Sequence, residues 1–150
     1  MSDMPYSNAV VVTAVSEADN CVELNLPPRG ELKRLIVSQM DGGPDGFTFR
    51  AYDRRDACPG QVQQPERVGT SVPVLETLPR SSHQLSPDYV AAAGDSEVAL
   101  FDLSIPYTVK NAPNPATVAN KGGLTLWLRP NGAGNKRFAV SYTVLGLQTG

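Results

Sequence analysis

Apolar and polar residues alternate along much of this chain, most clearly near its C-terminal end. Leu124, Leu126 and Leu128 share one parity, and Thr125, Trp127 and Arg129 the other. After the connection Pro130-Asn-Gly-Ala-Gly-Asn-Lys136, a second run sets Phe138, Val140, Tyr142 and Val144 against Ala139, Ser141 and Thr143. A period of two on both sides of a Gly- and Asn-rich link predicts a β-hairpin with one buried face. A lone hairpin is only marginally stable, so the rest of the chain is expected to supply more sheet.

Upstream, residues 1–8 read as an N-terminal arm and 9–150 as one domain. Ala9–Val15 is apolar on both parities, as in a strand covered on two sides or by a neighbouring subunit. Cys21–Leu26 alternates, with Val22, Leu24 and Leu26 inward, until Pro27-Pro28 ends it. Over Glu31–Met40, the residues Leu32, Leu35, Ile36 and Met40 fit a helical stripe, whereas Leu35 and Val37 fit a strand. The β-branched Ile36-Val37 pair and the turn residues on both sides favour the strand. Asp41-Gly-Gly-Pro-Asp-Gly46 is turn chemistry, and Phe47, Phe49 and Ala51 open another strand.

Residues 53–88 form a long irregular excursion with a short strand at 71–75, and 88–94 read as a short helical turn. Glu97–Ile105 predicts a strand with Ala99, Phe101, Leu103 and Ile105 on its inner face, and 111–123 a second loop. Short strands with frequent turns and almost no helical pattern predict an all-β fold. The form expected is a single antiparallel β-sandwich, jelly-roll-like, with 53–88 and 111–123 crossing between its sheets. Gly and Pro, 13 each, suit that many turns.

Composition narrows the function. The chain has 150 residues, 41% hydrophobic and 19% charged, enough for a real core. A net charge of -2 argues against a broad nucleic-acid surface. No apolar run approaches the ~20 residues of a membrane-spanning helix. Residues 1–20 lack the basic start and apolar block of a secretion signal. The expectation is therefore that Cys21 and Cys58 are free thiols rather than a pair.

No group of residues predicts catalysis, a cofactor or a metal. His83 is the one histidine and sits in a serine-rich loop. Together with Cys21 and Cys58 it lacks metal-ligand spacing. Asp41 and Asp45 read as a polar turn, and 132–136 lacks the helix that a phosphate loop requires. Contacts to a partner are a different matter. Arg54, Arg55 and Arg67, with Arg50 nearby, form a loose basic cluster beside the excursion, and Met4 and Tyr6 are the apolar anchors of the arm. Trp127, beside Arg129, faces away from the core, either to anchor a sugar or protein partner or to lie under the chain's own excursion.

The run from Leu124 to Tyr142, preceded by Phe101-Asp-Leu-Ser-Ile-Pro106, resembles the closing hairpin of small β-sandwich proteins that decorate tailed-phage heads. The resemblance covers about a third of the chain. It implies a non-enzymatic cement protein on the capsid surface of the virion, assembled in the host cytoplasm. Its partners would be the major capsid protein and further copies of itself, in a homo-oligomer that is often a trimer. The alternatives are a carbohydrate-binding module of a host-recognition apparatus, with Trp127 and Tyr52 or Tyr142 as stacking platform, and a tail or neck component.

Overall fold

The computed structural model describes residues 4–61, 67–68, 72–73, 79–109 and 122–146. Strands dominate them: β1 (Met4–Val15), β2 (Asn20–Glu23), β3 (Arg29–Gln39), β4 (Phe47–Arg54), β5 (Arg67–Val68), β6 (Val72–Pro73), β7 (Tyr89–Ala91), β8 (Glu97–Leu100), β9 (Ile105–Thr108), β10 (Gly122–Pro130) and β11 (Asn135–Gly146). Two short 3-10 turns, Arg55–Ala57 and Arg80–His83, lie inside the excursion.

One sheet runs β1-β11-β3-β8, and β9 also pairs with β3. Because β8 pairs with Leu35–Ser38 and β9 with Arg29–Leu32, these two form one interrupted edge strand. The other sheet runs β2-β10-β4-β7, and β5 and β6 pair only with each other. Apart from the β4–β7 and β8–β9 steps and the separate β5-β6 pair, successive strands alternate between two antiparallel sheets. Their order is that of the eight-stranded jelly roll, as the alternation predicts.

The inward parities meet between the sheets. Phe47 stacks on Phe49 and meets the Phe138 ring edge-on at 5.0 Å. Around them Leu32, Leu35, Val37, Leu126, Leu128, Val140 and Val144 are almost completely buried. Each large side chain contributes about 2 kcal/mol by leaving water.

Three local expectations are corrected. The arm is sheet from Met4 onward, because β1 pairs with β11 continuously from Met4↔Gly146 to Val15↔Asn135. Residues 89–91 are a strand and not a helical turn, held by pairing to β4. Phe101, expected in the core, is 62% exposed. After β8 the backbone at Asp102 takes a positive φ of 56°, which resets the parity: Val98 and Leu100 point inward before it, Leu103 and Ile105 after it. In β3 a register shift between Thr143 and Val144 of the partner strand lets both Leu32 and Leu35 point inward. That bulge is why the segment mimics a helical stripe.

Candidate partner-binding surfaces

The two outer faces of the sandwich differ. On the β2-β10-β4-β7 sheet, Cys21, Trp127 and Arg50 lie side by side across β2, β10 and β4. The excursion begins directly after β4 and turns back over this row, burying Ala57 and Cys58 with Tyr52 and Trp127 in a second small core. The Trp127 indole N–H donates to Asp19 Oδ1 at 2.8 Å. The Arg50 guanidinium lies 4.1 Å from the Trp127 ring centroid, donates to the Tyr52 hydroxyl at 2.9 Å and pairs with Asp88 at 2.6 Å. Trp127 is 6% exposed. Of its two readings, the structure selects the one in which it lies under its own chain.

Cys21 and Cys58 form a disulfide, contrary to the expectation of free thiols. The fold places their Cα atoms 6.3 Å apart across 37 positions of sequence. That expectation rested on compartment alone, and no local pattern signals the approach of the excursion to β2.

The sequence's other candidates fall in different places. Arg55 is partly exposed and 3.9 Å from Glu23. Arg54 is largely buried and pairs with Asp53 at 3.3 Å. Arg129, half exposed, pairs with Glu17 and Asp19. Tyr6 packs against the main core from β1 and does not hang free. The side chains of Met4 and Arg67 lie outside the described residues, although the Arg67 backbone pairs with Pro73. The structure therefore gathers Arg54, Arg55, Trp127 and Arg129 on or beside one face and leaves Tyr6 on the other sheet.

His83 is buried, with Nδ1 3.0 Å from Asp53 Oδ1. Of the serines near it in sequence, Ser81 and Ser82 are exposed. The Ser86 hydroxyl is committed, accepting from the Ala51 N–H and donating to the Pro87 carbonyl. The His83–Asp53 pair fastens the second 3-10 turn to β4.

At one end of the sandwich the turns are locked by internal charge. Lys136 has no exposed side-chain surface, and its ammonium donates to the carbonyls of Gly43 and Asn131 and to Asp45 Oδ2, each within 2.8 Å. Gly132, at φ 94°, sits so close that a Cβ there would strike the Asp45 carboxylate. Asp41 takes both the side chain and the backbone N–H of Arg137, and these bonds hold its carboxyl below the usual carboxylate range. Both aspartates of this turn are thus occupied by cations of the chain. No cluster of metal-ligating side chains occurs among the described residues.

The outer face of the β1-β11-β3-β8 sheet is of another kind. Its central row is Ala9, Ser141, Ile36 and Ala99, in register across all four strands. Among the described residues no further layer covers it. The apolar run Ala9–Val15, read as covered on two sides or by a neighbouring subunit, pointed to this face; the pairing of β11, β3 and β8 that completes it was not legible.

No protein-family model matches the chain, and no curated protein is similar to it. Among the solved structures similar to it are two viral ones. A chain of the cyanophage Pam1 capsid asymmetric unit has 12% identity and a TM-score of 0.43, over 97% of this chain and 87% of that one. A chain of maize chlorotic mottle virus has 8% identity and a TM-score of 0.37, over 100% of this chain and 98% of that one. At such values the strand order, and not these similarities, carries the reading that follows.

Proposed function

We propose that this chain is a non-enzymatic virion structural protein that binds and stabilises the outer surface of an assembled phage capsid, with the major capsid protein as its partner. One observation carries the proposal: the strands interleave in jelly-roll order, an architecture that viral capsid domains use. The hairpin at 124–142 and the segment at 101–106, which resemble those of phage decoration proteins, support the finer role. Jelly rolls also serve as lectins and cupins. Here the sandwich interior is filled by Phe47, Phe49 and Phe138, and Trp127, Tyr52 and Tyr142 are all buried, so the sugar platform has lost its aromatics. We assign the shell contact to the face beside the excursion, with Arg55 and Arg129 as its exposed cations.

The test is co-sedimentation with mature shells that lack the protein. Binding to shells and not to free capsid subunits is expected, weakened at least tenfold by Arg55→Glu with Arg129→Glu. Failure to bind shells, or quenching of tryptophan fluorescence by glycans, would refute it.

A further inference from the structure

We propose that the bare face of the β1-β11-β3-β8 sheet is the docking surface for a second copy of this chain, stacked face to face across a two-fold axis. The inference does not rest on the capsid reading, because such pairing is a property of the free protein.

The face has the chemistry of an interface. Its central row, Ala9-Ser141-Ile36-Ala99, is uncharged and mostly small-sided, which lets another sheet approach closely. On either side lie Val11, 56% exposed, and Phe101, which continues the outward parity of Ala99 beyond β8. Exposed Val11 and Phe101 flank that uncharged row on opposite sides and leave apolar surface for a partner to cover. Size agrees. With 12 residues in each of β1 and β11, the face is ~40 Å long, and four strands make it ~19 Å wide. Two copies would bury on the order of 1,500 Å², the standard area of a specific complex.

Charge selects the occupant. In the row of Val11, β8 contributes Glu97, and in the row of Ser7 and Thr143, β3 contributes Arg34. Among the described residues, the Nε of Arg34 is buried without a hydrogen-bond partner, while Glu97 accepts only from the Ser38 hydroxyl at 3.2 Å. A two-fold axis along the central row exchanges the flanking rows. Glu97 of one copy then falls over the Phe101 position of the other, offset sideways from Arg34 by one strand, about 5 Å, with the gap between the stacked sheets for the two long side chains to span. The face is therefore complementary to itself, as an isologous dimer requires.

Pairing edge to edge through β1 is the competing geometry, and the chain opposes it. Both peptide groups of Val15 are taken by the Asn20 side chain, which shows that odd-numbered residues of β1 point to the free edge. On that edge the Ala9 N–H is capped by Asn8 Oδ1, and Pro5 has no N–H. Such plugs are how proteins blunt an open strand.

Sedimentation velocity of the full chain over a concentration series tests the proposal. A dimer is expected. Ile36→Arg should weaken it at least tenfold, and so should Glu97→Arg or Arg34→Glu alone. The double reversal Glu97→Arg with Arg34→Glu should restore it, and an unchanged melting transition would show that each variant is folded. A monomer or trimer at all concentrations would overturn the proposal. So would a dimer indifferent to Ile36→Arg and to both single reversals.

Discussion

Lys136 shows how one residue organises several loops. It has the inward parity of Phe138 and Val140, so its stem lies in the core while its ammonium gathers two carbonyls and Asp45. Lys136→Met would keep the stem but orphan the carbonyls of Gly43 and Asn131, costing about 2–3 kcal/mol in urea unfolding. The parity of Lys136 was legible in the sequence. Two of its three partners, Gly43 and Asp45, were not, because they come from a turn some 90 positions away. Tyr107 makes a different case. Burial first, and then the neighbouring Tyr142 and Tyr6, push its hydroxyl up to about 12, and that hydroxyl has no partner. A group raised in the folded state contributes fully below its ordinary value of ~10 and loses that contribution as pH rises through the folded value. Stability should therefore fall between about pH 10 and 12, with Tyr142, also raised by burial, adding to the loss. Tyr107→Phe should leave neutral-pH stability unchanged or higher and flatten part of that alkaline fall in a pH series of melting temperatures.

At the scale of elements, period-two alternation made β4, β10 and β11 legible, because each is half-buried in the simplest way. It failed where a local backbone feature resets parity, as at Asp102 before β9 and at the bulge in β3. It also failed where pairing is long-range. Residues 4–8 carry no strong strand pattern, yet β11 holds them through the first five of the twelve continuous register pairs of β1. The candidate surface was legible as outward residues, but not the excursion that closes over Trp127 or the disulfide that pins it. Closing a loop of 37 positions should stabilise the protein by about 3–4 kcal/mol. Cys21→Ser with Cys58→Ser should lose most of that in urea unfolding. Its tryptophan emission should shift to the red as residues 55–58 loosen from the indole. An unshifted spectrum together with unchanged stability would show that packing alone holds the excursion down.

For the whole molecule, the asymmetry between the two faces matters most. One sheet is roofed by the chain's own excursion and edged by cations; the other has an uncharged central row and is bare among the described residues. The two proposals put their partners on opposite sides: the shell beside the roof, a second copy on the bare sheet. A cryo-electron microscopy reconstruction of shells incubated with the purified protein tests the shell assignment most directly. The expected result is added density on the outer surface that fits the jelly roll, with Arg55 and Arg129 toward the capsid. Shells whose outer surface is unchanged at saturating protein would contradict it.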